Sequence, residues 1–211
     1  MKLFLLSSFL LCFTLYSQDQ SNEILKELGE LTKSYETISV TFSISITDPV
    51  EGRPSINKAG KAFLKNDKYK LELIDQHTYC DGTDKVVHLV NDKECITSLV
   101  EDEDDNSITP VNMLTIWEDN FRSEYKRETT FNEVPVHQIH LYPLNPDDRE
   151  FHTIVLKIDK EKMQILSVYI KFNDGKRQRI IVKSFTPNKE LSDEMFVFDR
   201  SKYPEVDCYE E

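Results

Sequence analysis

Residues 37–47, TISVTFSISIT, alternate between apolar and hydroxyl side chains without a break. The apolar positions are Ile38, Val40, Phe42, Ile44 and Ile46. Because successive side chains of a β-strand point to opposite faces, the pattern predicts one long strand with an apolar face and a polar face. The apolar face can be one layer of a packed core, which is the commoner case for a single strand, or a surface that receives another apolar molecule.

The chain after this strand continues with strand signals and tight turns. We predict about ten strands in one mainly β (α+β) domain, because short alternating segments follow one another with turn residues between them. They include residues 58–66, 68–75, 85–90 and 94–100, and five more lie between residues 123 and 186. Turns are expected at Asp81-Gly82, DKEK and NDGK. Such a series predicts a single antiparallel sheet that curls around its apolar face.

Two segments carry helical periodicity instead. Residues 19–37 place four apolar side chains at helical spacing, Ile24, Leu25, Leu28 and Leu31. Ser21 or Asn22 can cap the start of this helix. Residues 109–121 predict a second helix, with a proline in its first turn. Its apolar face consists of Met113, Leu114, Ile116 and Trp117.

The first residues, MKLFLLSSFLLCFTLYSQDQ, are typical of an export signal. One lysine precedes an apolar run that is too short to span a bilayer comfortably. We expect residues 1–17 to be a signal peptide cleaved after Ser17, which leaves residues 18–211 as one domain; retention as a membrane anchor is the alternative. Lipid attachment at Cys12 is not expected, because Leu11 is not a small residue.

Charge and cysteine usage limit the remaining options. The formal net charge is −12, and an acidic surface repels nucleic-acid phosphates and anionic lipid headgroups. Three cysteines follow the predicted signal: Cys80, Cys95 and Cys208. A Cys80–Cys95 bridge could form in an oxidising compartment. Three unpaired thiols are favoured, because the number is odd and the spacing fits no metal-binding or redox pattern.

The sequence contains no recognisable catalytic or metal-binding pattern. His137 and His140 lie three apart on a predicted strand and therefore point to opposite faces. The acidic loop that begins at Asp102 lacks the glycine and the final glutamate of a calcium loop. Because there is no G-x-S-x-G motif and no phosphate-binding glycine loop, we expect no enzyme, no metal site and no cofactor. A secreted hydrolase with a cryptic site is therefore the least favoured hypothesis.

Several ordered landmarks resemble the LolA family of outer-membrane lipoprotein carriers. YETISVTFSISI is similar to the family's first strand, and GKAFLKNDKYKLEL to its second and third strands. YCDGTDKVVHLVNDKECI resembles the family's SDGKTLW hairpin, and ITPVNMLTIWEDNF stands where the family has an apolar helix started by proline. The ending, LSDEMFVFDRSKYPEVDCYEE, resembles a closing segment with a short F-x-F strand, here Phe196 and Phe198.

The resemblance implies an open half-barrel whose concave apolar face is plugged by helices. It also implies a periplasmic, monomeric carrier that shields lipoprotein acyl chains between the inner and outer membranes. Its partners would be acylated lipoproteins, an inner-membrane lipoprotein-releasing transporter and an outer-membrane acceptor, with no nucleic acid. The expected cavity residues are Val40, Phe42, Ile44, Leu71 and Leu73, and the expected plug residues are Met113, Leu114, Ile116 and Trp117.

One departure from the family concerns the helical lid. Where the family has K-R-P after the second strand, this chain has Lys65-Asn66-Asp67. The arginine that helps to hold the family's lid closed is thus replaced by Asn66, so a latch of that kind is not expected. The alternative function is a periplasmic sensor or regulatory module that uses the same fold to detect lipids or lipoproteins.

Overall fold

The computed structural model describes residues 20–48, 56–100, 116–118 and 120–210. Within this part of the chain there is one α-helix, α1 at residues 20–33, followed by twelve strands. The strands are β1 Ile38–Thr47, β2 Ile56–Lys65, β3 Lys68–Leu73, β4 Gln76–Cys80, β5 Asp84–Leu89, β6 Glu94–Leu99, β7 Phe121–Phe131, β8 Val134–Pro143, β9 Phe151–Asp159, β10 Ile165–Phe172, β11 Arg177–Pro187 and β12 Asp207–Glu210. Short 3-10 helices occupy Pro146–Asp148, Asp193–Phe196 and Arg200–Lys202.

The twelve strands belong to one hydrogen-bonded sheet in the order β12-β6-β5-β4-β3-β2-β1-β11-β10-β9-β8-β7. The mainly β prediction is confirmed, and the ten predicted strands are all present. Two strands were missed, β4 and β12. Because β12 runs parallel to β6, the sheet is mixed, and the prediction of an antiparallel sheet is wrong at this edge. The half-barrel and its plugging helices stay predictions.

Two predictions for local structure are corrected. Residues 116–118 lie in a turn and β7 begins at Phe121, so the second predicted helix does not extend to residue 121. Residues 109–115 lie outside the described residues. The predicted F-x-F strand is also wrong, because Phe196 ends a 3-10 helix and Phe198 follows it in irregular backbone. Phe196 is nevertheless fully buried, which explains why an apolar residue stands there.

The described chain divides into two compact units. Unit 1 consists of residues 20–33, 46–48, 116–118 and 120–180, and unit 2 of residues 34–45, 56–100 and 181–210. Strand β11 contributes its first residues to unit 1 and the remainder to unit 2. Each unit has its own buried side chains and is described by itself.

Unit 1 packs α1 on one face of strands β7 to β10. Five side chains of this face have 0 % exposure: Ile139, Leu141, Ile154, Leu156 and Ile158. On the same side, Ser123 lies opposite Leu141, and its hydroxyl is 2.7 Å from the Ser21 hydroxyl of α1. The Ser123 hydroxyl also donates to Asn22 Oδ1 at 2.8 Å. The residues considered as helix caps therefore help to attach α1 to the sheet.

The tight turns follow the sequence closely. In the β9–β10 turn, Asp159 Oδ1 accepts hydrogen bonds from the backbone amides of Glu161 and Lys162. In the β10–β11 turn, Gly175 has φ +94°. In the β2–β3 turn, Asn66 has φ +54°, a left-handed conformation that asparagine tolerates better than most residues. The Asn66 side chain therefore suits the backbone conformation of this two-residue hairpin turn.

Unit 2 carries a disulfide that the sequence analysis did not predict. Cys95 on β6 is bonded to Cys208 on β12, directly opposite it in the parallel pair. Both the favoured prediction of three unpaired thiols and the alternative Cys80–Cys95 bridge are wrong. Strand register explains the second error, because Cys80 pairs with Lys85 and Cys95 with His88, which places the two cysteines on opposite faces. Cys80 is buried, and its thiol donates weakly to the Asp67 carbonyl at 3.9 Å.

Candidate functional site

The five predicted cavity residues lie on two strands of unit 2. Val40, Phe42 and Ile44 alternate along β1, and Leu71 and Leu73 alternate along β3. Strand β2 lies between β1 and β3 in the sheet. In register, Leu73 is opposite Gly60 of β2 and Leu71 is opposite Ala62, so these positions share one face. We call this surface the apolar face of unit 2.

Gly60 shows how β1 and β3 meet across β2. A Cβ atom on Gly60 would lie 2.6 Å from Phe42 Cζ and 2.8 Å from Leu73 Cδ2, closer than atoms can pack. The Phe42 ring and the Leu73 side chain therefore lie directly over the backbone of Gly60. The absence of a side chain at this position lets the two residues approach each other.

The apolar face of unit 2 is only partly covered. Phe42 is 9 % exposed, whereas Val40, Ile44, Leu71 and Leu73 are half-buried. The face continues onto β5 and β6, where Val87 and Ile96 are paired and are also half-buried. A row of half-buried aliphatic side chains can gain free energy when a further apolar group covers it, at about 25 cal/mol per Å².

Two of the four predicted plug residues are described, and both belong to unit 1. Met113 and Leu114 lie outside the described residues, whereas Ile116 is half-buried and Trp117 is 8 % exposed. The Trp117 indole packs near Gly29 of α1, and the adjacent Glu118 carboxylate bonds Lys33 Nζ at 2.6 Å. A cavity of about 400 Å³ lies between α1 and these residues.

The opposite face of unit 2 carries a cluster that sequence reasoning missed. His77 of β4 and His88 of β5 are paired in register with ring centroids 6.1 Å apart. Phe198 and Tyr203 of the C-terminal segment stack on each other at 5.2 Å and contact His88 at 5.3 and 4.8 Å. Tyr79 contacts Phe198 at 5.4 Å. The C-terminal segment therefore covers this face through aromatic contacts.

Burial shifts the pKa values of two residues of this cluster, His88 and Tyr79. His88 is 3 % exposed, and burial followed by the nearby His77 lowers its pKa below the ordinary value. Burial and then a hydrogen bond with Tyr203 raise the pKa of Tyr79. Among the described residues, neither His77 Nδ1 nor His88 Nδ1 has a hydrogen-bond partner. The mostly aromatic surroundings of His88 thus disfavour its protonated form.

A sequence signal for the histidine pair did exist. The Asp81-Gly82 turn was predicted correctly, and Gly82 has φ +99°. A tight hairpin centred there places residue 80 opposite residue 85, and therefore His77 opposite His88. The pairing was missed because QHTYC was not recognised as strand β4.

The described residues add two observations on chemistry. His137 and His140 do point to opposite faces, as predicted: His137 Nδ1 is 3.3 Å from the Tyr125 hydroxyl, and His140 lies near Gln138 and Tyr142 on the other side. No group of three potential metal ligands comes together within the described part of the chain. No helix among these residues has the length and apolar character needed to cross a bilayer.

Comparison with known families agrees with the resemblance noted from the sequence. The family model described as outer membrane lipoprotein carrier protein LolA matches residues 80–199, which is more than half of the 211-residue chain. The chain therefore belongs to the LolA family. The comparison with curated proteins gave no match.

Two solved structures support the fold, and a third is similar at a lower TM-score. An uncharacterised conserved protein from Thermus thermophilus has 9 % identity and a TM-score of 0.60, over 91 % of this chain and 99 % of that one. A DUF1329 family protein from Desulfovibrio piger has 9 % identity and a TM-score of 0.50, over 89 % and 99 %. A LolA superfamily protein from Nitrosomonas europaea has 9 % identity and a TM-score of 0.45, over 84 % and 97 %. At such identities, the first two likenesses concern the fold alone.

Proposed function

We propose that this protein is a periplasmic carrier that binds the acyl chains of lipoproteins on the apolar face of unit 2 and moves them from the inner to the outer membrane. Membership of a family described as lipoprotein carriers supports the cargo. The observation that carries the proposal is the row of half-buried aliphatic side chains on β1 and β3, where Phe42 and Leu73 meet over Gly60.

The energetics of acyl chains explain why such a surface is useful. Each CH₂ group left in water costs about 0.8 kcal/mol, so one chain of roughly fifteen such groups costs on the order of 10 kcal/mol. A lipoprotein cannot cross an aqueous compartment at a useful rate with its chains exposed. A carrier must still release its cargo, and competition by a segment of its own lowers the net affinity. In this proposal Met113, Leu114, Ile116 and Trp117 form that competing segment.

The disulfide supports an extracytoplasmic location. Bonds such as Cys95–Cys208 persist in oxidising compartments and are rare in the cytosol. Together with the predicted signal peptide at residues 1–17, this favours residues 18–211 acting in the periplasm as a monomer. A lipoprotein-releasing transporter of the inner membrane would load the carrier, and an acceptor at the outer membrane would receive the cargo. None of these steps needs a catalytic group.

The direct test is release of lipoproteins from membranes. Spheroplasts that contain newly made, labelled lipoproteins are incubated with purified protein, and soluble one-to-one complexes are counted. We expect wild-type protein to release lipoprotein and Leu73→Glu to release roughly tenfold less or worse, because a carboxylate must lose water where an acyl chain binds. Ile74→Glu is the matched control, since Ile74 is the next residue and is 81 % exposed.

The other outcomes also decide between hypotheses. Binding of free lipopeptide without release from membranes would favour the sensor or regulatory module over the carrier. Equal release by Leu73→Glu and Ile74→Glu would remove the apolar face of unit 2 as the acyl site. If the protein neither releases lipoproteins nor binds lipopeptides, the proposed function is wrong.

A further inference from the structure

The side of the unit 1 sheet that faces away from α1 concentrates positive charge. α1 contacts the side on which Ser123 and Leu141 lie. The other side carries six cations from four strands, which we call the cationic face: Arg122, Lys126, Arg127, Lys157, Lys171 and Arg179. The protein as a whole has a formal net charge of −12, so this distribution is the reverse of what its composition suggests.

Strand register places four of these side chains, Arg122, Arg127, Lys157 and Lys171, on one side. Arg122 of β7 is opposite Tyr142 of β8, and Arg127 is opposite Gln138. Gln138 is in turn opposite Lys157 of β9. Directly paired residues of neighbouring strands project to the same face, so these positions of β7, β8 and β9 share the cationic side. Lys171 of β10 is opposite Thr153 of β9. Thr153, Val155 and Lys157 alternate along β9, so Lys171 shares the side on which Lys157 lies.

Aromatic rings support several of the cations. The Arg122 guanidinium lies 4.7 Å from the Tyr142 ring centroid, and Lys157 Nζ lies 4.6 Å from that of Phe131. The Arg179 guanidinium lies 5.1 Å from the Tyr169 ring centroid. Cation–π contacts hold charged groups over apolar bodies without neutralising them. The result is a surface in which charge and aromatic rings alternate.

The cations on this face outnumber the carboxylates that the described strands place beside them. Glu124 forms an ion pair with Lys126 at 2.6 Å. Asp159 is buried and accepts hydrogen bonds from the backbone amides of its turn.

The pKa values of two groups on this face reflect the positive charge around them. Burial is the main cause that lowers the pKa of Lys157, and the nearby Arg179 and Arg127 lower it further. Burial and then Lys126 and Lys171 lower the pKa of His140. The positive groups therefore repel one another and would be stabilised by an anion.

We propose that the cationic face of unit 1 docks on an anionic phospholipid surface. The six cations extend from β7 to β11, five neighbouring strands that span about 19 Å at the usual strand spacing of roughly 4.8 Å. They also spread along the strands, as Arg122 and Arg127 do on β7. A two-dimensional set of separate charges matches an array of headgroups, whereas an acidic peptide would follow one line. Tyrosine rings among the cations suit the membrane interface, where one end of the ring is apolar and the other wet.

This surface gives an acidic protein a way to approach a membrane in one orientation. Because the formal net charge of the protein is −12, anionic headgroups repel the molecule as a whole and attract the cationic face. The proposal does not depend on acyl binding, because it concerns unit 1 and phospholipid headgroups. The net charge of −12 suggests that anionic lipid headgroups are repelled, but this figure averages the cationic face with the rest of the protein.

The test is co-sedimentation with vesicles, using protein expressed from the complete 211-residue sequence. Vesicles of phosphatidylglycerol mixed with phosphatidylcholine are compared with vesicles of phosphatidylcholine alone. The test variant is Arg127→Gln/Arg179→Gln, and the matched control is Lys162→Gln/Lys176→Gln, which changes net charge equally on exposed turns of unit 1. All proteins share the same N-terminus, so differences between them report the substituted positions.

We expect the anionic vesicles to bind wild-type and control protein alike and to bind Arg127→Gln/Arg179→Gln roughly 25-fold more weakly, at about fivefold for each cation lost near the surface. High salt should remove the binding of all three. Equal losses in the test and control variants would overturn the proposal, as would equal binding to neutral vesicles. So would tighter binding of polyglutamate than of anionic vesicles, which would assign the face to an acidic protein.

The variants also separate this proposal from the proposed function. Leu73→Glu and Ile74→Glu carry the same change of charge in unit 2 and should bind anionic vesicles equally. If Leu73→Glu releases no lipoprotein yet both bind vesicles, the acyl site and the docking face are independent. If wild-type protein releases lipoprotein but binds no anionic vesicles, the docking proposal alone is wrong. Circular dichroism of each variant establishes that it is folded.

Discussion

The two units differ in how completely the apolar faces of their strands are covered. In unit 1, the face that meets α1 is closed, and Ile139, Leu141 and Leu156 have no solvent exposure. In unit 2, the apolar strand residues Val40 and Leu71 are only half-buried. An alternating apolar pattern therefore specifies a face and its chemistry, but it does not specify how completely that face is covered. The degree of cover separates a core from a surface available to a ligand.

The largest expected difference between the units concerns leucine truncation. Leu156→Ala in unit 1 should cost about 2–5 kcal/mol of unfolding free energy, because it leaves a cavity in a closed core. Leu71→Ala in unit 2 should cost no more than about half of that, since water already reaches the site. Urea denaturation followed by circular dichroism measures both. Equal losses would mean that the apolar face of unit 2 is an ordinary core.

Glycine substitutions should move the stability of the two units in opposite directions. Gly60→Val in unit 2 should cost about 1–3 kcal/mol, because its side chain must displace Phe42 and Leu73. Gly29→Ala in α1 should gain up to about 1 kcal/mol from helix propensity. Its Cβ would lie 3.0 Å from Glu118 Oε1, the end of a flexible side chain, and 3.7 Å from Trp117 Nε1, an ordinary contact distance.

Thermal melting and lipopeptide binding together measure the glycine pair. Gly60→Val should also weaken lipopeptide binding, because the ring and the leucine that it displaces belong to the proposed acyl site. Gly29→Ala should leave that binding unchanged. A stable Gly60→Val protein with unchanged binding would show that the close approach over Gly60 has no role in the site.

A smaller, pH-dependent difference should come from the histidines. The pKa of His88 is lowered in the folded protein, so the unfolded chain takes up a proton first as the pH falls, and stability present above the ordinary histidine pKa is lost below it. The pKa values of His137 and His140 in unit 1 shift in the same direction, but these two residues have hydrogen-bond partners. His88→Phe keeps an aromatic ring against Phe198 and Tyr203 and removes one contribution.

The measurement compares unfolding free energies at about pH 7.5 and about pH 5.5, on either side of the ordinary histidine pKa. His88→Phe should lose less stability between the two than wild-type protein does. His152→Gln, an exposed histidine substitution in unit 1, is the control and should behave as wild type. An identical pH dependence in all three proteins would mean that the pKa of His88 is the same in the folded and the unfolded protein.

Strands and turns that depend on local patterns were predicted correctly from the sequence. Features that depend on contacts between residues far apart in the chain were not. The strand at residues 37–47 and the turns at Asp81-Gly82 and Asp159 follow from side-chain alternation and turn chemistry. Strand β4 was missed because its polar residues are buried by partners far along the chain, such as Phe198 on Tyr79. The pairing of β12 with β6 depends on a contact across 113 residues, which no local pattern encodes.

The candidate site divides in the same way. Alternation alone places the proposed lining residues Val40, Phe42 and Ile44 on one face of β1, and Leu71 and Leu73 on one face of β3. The role of Gly60 could not be foreseen, because it depends on how β1 and β3 approach each other across β2. The cationic face was hidden by the net charge, since composition cannot show that six cations from four strands lie on one side.

The Cys95–Cys208 bond also has a consequence for the order in which the cysteines emerge during synthesis. Cys80 and Cys95 emerge together, while Cys208 follows Cys95 by 113 residues, so the wrong partner arrives first. The β4–β5 hairpin and β6 resolve the conflict by register, because they turn Cys80 and Cys95 to opposite faces as soon as they pair. Thiol trapping during synthesis should therefore find Cys95 reactive and Cys80 protected before Cys208 appears. Early pairing of these strands would thus keep the wrong bond from forming before Cys208 is available.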